Sequence, residues 1–96
     1  MNNSIASSHL RIAKPVRDLQ RTSQMYRDGL GLELLGSFEG HAGFDGVMLG
    51  VPGAAYHFEF THRAELDVAP PSPEDLVVLY VPERPAWQAL CERMLA

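Results

Sequence analysis

Cysteine occurs once, at Cys91, so the chain can close no disulfide of its own and must be held by packing. That usage fits a reducing, cytoplasmic setting. No apolar stretch approaches the ~20 residues that span a bilayer. Residues 1–8 lack the cationic-then-apolar order of a secretory leader, so neither a membrane partner nor a signal segment is expected. Positive charge is also scarce. Eight Lys and Arg against twelve Asp and Glu give a net charge of −4, which argues against nucleic acid or anionic lipid as main partner, since both demand clustered cations. No glycine-rich loop joins a strand to a helix, because Gly40, Gly43, Gly46, Gly50 and Gly53 fall elsewhere. No Ser–His–acid arrangement can be argued from spacing. What is present is an ordinary globular composition, 46% apolar and 21% charged over 96 residues, which suffices for one small domain and is too apolar for disorder.

Residues 1–8 are small and polar and read as a loose terminus. Partial alternation over 9–16 predicts a first strand, closed by Pro15. Asp18 has N-cap chemistry, and Leu19, Thr22, Ser23, Tyr26 and Leu30 recur at helical spacing, so a helix is expected over 18–28, with Gly29 and Gly31 as stop signals. Strands follow at 32–38 and 44–51 around a turn-like Glu39-Gly-His-Ala-Gly43. A further strand at 55–61 puts Tyr56, Phe58 and Phe60 on one face and His57, Glu59 and Thr61 on the other. Residues 9–62 thus read as β-α-β-β-β, with Tyr56, Phe58, Phe60, Leu19, Tyr26 and Leu30 as the core between sheet and helix. Residues 63–75 form a proline-rich, semi-rigid linker. Over 76–96 an apolar run, Leu-Val-Val-Leu-Tyr-Val, reads as a buried strand. A helix follows Pro85 with Trp87, Leu90, Cys91 and Met94 as its apolar stripe. Trp87 is read as a core residue, and Cys91 as a small hydrophobe.

The two strand-helix pieces share a pattern. Residues 11–18 can be laid on 76–83, with Val16 on Val81 and Asp18 on Glu83. The second copy has a β-α start and lacks three closing strands, so the chain reads as one α+β domain, 1–96, with a partial second module at 76–96.

Val16-Arg-Asp-Leu19 followed by Met25-Tyr-Arg-Asp-Gly-Leu-Gly-Leu32 resembles the "V-x-D-L … F-Y … L-G-L" signature of the vicinal oxygen chelate superfamily, and Tyr56-His-Phe-Glu-Phe-Thr61 resembles its fourth-strand segment. That superfamily contains glyoxalase I, bleomycin- and fosfomycin-resistance proteins and extradiol dioxygenases. The resemblance implies paired βαβββ modules, a curved mixed sheet with helices on its outer face, a cup that holds a small molecule, and homodimers. In metal-dependent members a divalent ion is held by side chains on the first and fourth strands. The first-strand position matches Arg11, which cannot ligate a metal. Its counterpart before Glu83 is Leu76, which cannot either. The fourth-strand position matches Glu59. No cofactor is therefore expected. A displaced divalent site built from His9, His57 and Glu59 is the alternative, since His9 shares a face with Arg11.

Strand neighbours would let Arg11 and Glu59 form an ion pair where relatives hold the metal. Arg11, His57, Glu59 and Tyr80 are then the expected ligand-binding wall, with Glu59 as the candidate general base should a reaction occur. His41 and His62 are read as plain surface residues. The leading expectation is a metal-free binder of small organic molecules. One alternative is a metal-dependent lyase, isomerase or dioxygenase of the same superfamily. Another is a truncated fragment, or a module that acts only on assembly through the edge at 76–81.

Overall fold

A computed structural model describes residues 4–65 and 67–96; the first three residues of the expected loose terminus, and Leu66 in the linker, lie outside the described residues. Residues 4–8 form an exposed turn in which the Ser7 and Ser8 hydroxyls donate to the Ser4 carbonyl. The chain then runs β1 (Leu10–Pro15), α1 (Leu19–Leu30), β2 (Glu33–His41), β3 (Phe44–Gly50), β4 (Tyr56–His62) and α2 (Arg84–Leu95). The four strands make one sheet in the order β1-β4-β3-β2. β1 and β4 run parallel, and the other pairs are antiparallel. This is the expected α+β glyoxalase-like module.

The caps of α1 follow its chemistry, whereas β2 runs on through residues 39–41, which were expected in the turn. Asp18 caps α1 by accepting from the Arg21 N–H at 3.0 Å. The helix continues through Gly29 to Gly31, which takes a left-handed φ of 72° and donates to the Arg27 carbonyl at 2.9 Å. Gly29 is therefore not a stop. It is buried inside α1 because Met94 of α2 presses on it, in space that a Cβ would fill. The β2–β3 hairpin turns over Ala42 and Gly43, both with positive φ, which suits the twist of a two-residue loop.

The core lies between sheet and α1. Leu32, Leu49, Phe58 and Phe60 are buried, and Ile12, Val16, Leu19, Tyr26, Leu30, Val47, Tyr56 and Val77 pack on them. Tyr26 reaches both Phe58 and Phe60, with ring centroids 5.6 and 4.8 Å away. Strand parity thus gave the faces of β4 correctly, while Leu49, fully buried on β3, completes the core from a strand whose glycines hide which face is inward.

Residues 76–81 depart from expectation. They pair with no strand among the described residues, and Leu76 and Val78 stand 72% and 59% exposed. A strand is a relation between neighbours, and the apolar run has none here. Only Val77 turns inward to the core. The following helix does form, but no residue of it is buried and Trp87 is 49% exposed, so its stripe is not a core. α2 instead leans on the end of α1 through Met94 and through Arg93, whose Nε donates to the Gly29 carbonyl at 3.2 Å. The linker is tied as well: Arg17 Nε donates to the Val68 carbonyl at 2.8 Å, and Ser72 and Asp75 close a local turn. No helix among the described residues is long and apolar enough to cross a membrane.

Candidate functional site

β1 and β4 are far apart in sequence and adjacent in space. Their parallel register sets Arg11 beside His57 and Ala13 beside Glu59, while β3 sets Met48 beside Glu59 and Gly50 beside His57. Because Phe58 and Phe60 face α1, the intervening His57 and Glu59 must face the opposite, helix-free side. Arg11 joins them there by the same alternation.

The result is a linear polar chain. Glu59 Oε2 accepts from Arg11 Nη1 at 3.3 Å, as strand parity predicted. The Glu59 side chain is 14% exposed and that of Arg11 52%, so the carboxylate is sunk into the sheet and the guanidinium leans over it towards solvent. Arg11 Nε donates to His57 Nε2 at 3.0 Å. Beyond it, His57 Nδ1 and His9 Nε2 share a short hydrogen bond, and the rings lie 4.7 Å apart. Among the described residues, Arg11 Nη2 has only the Met48 thioether nearby, at 4.0 Å.

Donor direction fixes protonation. Arginine can only donate, so His57 Nε2 must carry a lone pair and Nδ1 the proton. That proton is donated to His9 Nε2, which in turn must be bare. Partial burial, then the neighbouring His9 and Arg11, hold the His57 imidazole below its ordinary value, against the opposing pull of Glu59.

Not every expected residue arrives. Tyr80 sits in the unpaired segment, 94% exposed, beside Leu79, Val81, Pro82, Arg84 and Trp87, and takes no part in this cluster. It was assigned to the wall by a strand parity that the segment does not have. His41 is exposed and edge-on to Phe38. His62 is no plain surface residue: half-buried, its Nδ1 meets the Val16 carbonyl at 3.1 Å and ties β4 to the end of β1. Met48 was missed, because its place opposite Glu59 depends on the β3–β4 register, which neither strand's own sequence reveals.

A divalent ion does not fit these side chains. Arg11 occupies the first-strand position, its guanidinium takes the Glu59 carboxylate, and the His57 lone pair is already used. Among the described residues no three His, Cys, Asp or Glu side chains gather to hold a metal, His9, His57 and Glu59 included. Among the described residues the site has one wall. Hollows lie under residues 75–79 against Ile12, Tyr56 and Phe58, between α1 and the β2–β3 strands, and between α1 and the linker.

A βαβββ unit with parallel first and fourth strands, and polar residues on the helix-free face, is a module of the vicinal oxygen chelate class. The chain belongs to the family of YycE-like N-terminal domains, which it matches over residues 10–61. It is 39% identical to the uncharacterised protein YycE of Bacillus subtilis strain 168 over 93 residues, which is 96% of this chain and 67% of YycE. A crystal structure of B. subtilis YycE, a protein of unknown function named there as a candidate glyoxalase/fosfomycin-resistance protein, superposes with a TM-score of 0.80 at 39% identity. The match covers 92% of this chain and 65% of that one. Methylmalonyl-CoA epimerase from Mycobacterium tuberculosis shares the fold, with a TM-score of 0.51, 24% identity, and coverage of 59% and 39% of the two chains. The chain thus spans about two thirds of the length of the YycE proteins it matches.

Proposed function

We propose that this chain supplies one wall of a metal-free binding site for a small organic molecule, of the glyoxalase/fosfomycin-resistance type. The observation that carries the reading is the Arg11–Glu59 pair: by the superfamily resemblance, a fixed cation would stand at the first-strand position that metal-dependent members use for a ligand. Arg11 would bind the ligand, His57 would orient it and Glu59 would hold Arg11. The second wall would come from another module, and a second copy of the chain in the cytoplasm is the simplest source. The exposed Leu76, Val78 and Tyr80 and the one-sided site support that arrangement.

The test is a small-molecule screen by amide and side-chain NMR in the presence of a chelator. Ligands should perturb Arg11, His57, Glu59 and Met48, with affinities unchanged when divalent metal replaces the chelator. Binding that requires metal, or that perturbs only residues on the α1 side, would overturn the reading.

A further inference from the structure

The polar chain on the open face has a directional constraint. Arg11 Nε donates to His57 Nε2, and His57 Nδ1 bonds His9 Nε2, so three nitrogen positions share a single fixed proton order. A proton added to His57 lands on Nε2 and sets two donors against each other. A proton added to His9 lands on its Nε2. To keep the ring–ring bond, His57 must then move its own proton to Nε2, with the same result. A proton on His57 therefore ends the Arg11–His57 hydrogen bond outright, and a proton on His9 ends it when the ring–ring bond is kept.

The freed atom matters because of its neighbour. Nε and Nη2 form one edge of the guanidinium, and among the described residues Nη2 has no strong acceptor, only the Met48 sulfur at 4.0 Å. Nη1 stays with Glu59, which keeps the side chain in place. Release of Nε therefore exposes a two-donor fork of the geometry that carboxylate, phosphate and phosphonate oxygens match. An oxyanion seated there would also separate the Arg11 charge from the new imidazolium. The groups facing His57 are few: His9 and Arg11 from the β1 side, Glu59 on its own strand, and the uncharged Met48 and Gly50 of β3.

We infer that the open face is a proton-coupled oxyanion site, in which one proton taken up by the His9–His57 pair opens the Nε–Nη2 edge of Arg11 to the anionic group of the ligand. This rests on the open-face reading above and names the ligand class it implies.

Sulfate is a suitable probe, because its charge is constant between pH 5.5 and 8. On the intact chain, sulfate should perturb Arg11 and His57 and bind at least about tenfold more tightly at pH 5.5 than at pH 8, as one linked proton requires. Ring nitrogen shifts at pH 8 should show His57 protonated on Nδ1, the tautomer that free imidazoles disfavour. Arg11→Lys keeps a cation beside Glu59 but has no fork, and should lose at least about tenfold in sulfate affinity at pH 5.5. His57→Gln can accept from Arg11 Nε and takes no proton, so its sulfate affinity should vary much less with pH. Equal affinity at both pH values, undiminished binding by Arg11→Lys, or His57 protonated on Nε2 at pH 8 would each overturn the inference. In that event, uncharged screening molecules that still shift Arg11 and His57 would leave the open-face reading standing, and their failure would remove both.

Discussion

Arg11 serves Glu59 below it and His57 beside it, and each relation has a measurable energy. Truncation by Arg11→Leu leaves a carboxylate that is 14% exposed without its cation. The guanidinium is half in solvent, so the loss should be about 1–2 kcal/mol, less than the 3–5 of a fully buried pair. Urea unfolding of the variant checks this, and a loss below about 0.5 kcal/mol would mean that Glu59 is solvated. His57 sets a pH dependence of known sign. The unfolded chain takes this proton at the ordinary imidazole value, near 6.5, and the folded chain only at lower pH. Between these points the unfolded state holds more protons, so stability falls as pH drops below about 6.5 and recovers above it. Urea midpoints at pH 8 and pH 5.5 should show the fall, and His57→Gln should reduce it. The ion pair was legible in the sequence, because strand alternation and the family spacing both pointed Arg11 and Glu59 to one face. His9 was legible in part: it was grouped with His57 as a candidate ligand, and it does reach His57, but through a ring–ring hydrogen bond that only the β1–β4 register reveals.

Among the elements, the helix α1, the strands β1 to β4 and the turn between β2 and β3 were readable from period and caps. The segment 76–81 was not, because apolarity says that a segment wants cover and not which neighbour supplies it. Gly29 misled for a related reason: the same residue that ends helices also lets two helices touch. Gly29→Leu should push α2 away from α1 by displacing Met94, while the βαβββ module stays folded. A change in Trp87 fluorescence with far smaller change in the sheet's amide spectrum would show it, and global unfolding would mean that α2 is integral to the module. In the hairpin, Ala42 holds a φ of 52°, a conformation that suits glycine better. Ala42→Gly should raise stability by up to about 1 kcal/mol, since relief of strain outweighs the entropy of the more flexible unfolded chain. Thermal unfolding decides between that and a loss.

At the scale of the molecule, α1 covers one face of the sheet, and no helix or strand among the described residues covers the other. Leu76, Val78, Tyr80 and Leu95 add apolar surface that a small monomer seldom leaves open. Light scattering should therefore give about twice the 10.6 kDa of one chain. Leu76→Asp with Val78→Asp should return the monomer with the β1–β4 pairing intact, and a wild-type monomer at high concentration would remove the assembly reading. The parallel pairing of the first and fourth strands has one more effect, on timing. Arg11 and His57 lie 46 positions apart, and β1 can dock only on a β4 that already exists. On a ribosome, the hairpins of β2, β3 and β4 can form as they emerge, while β1, made first, waits with its polar residues unpartnered. The open polar face is then the last part of the module to come into being, because Arg11 and His57 meet only once β1 has docked on β4.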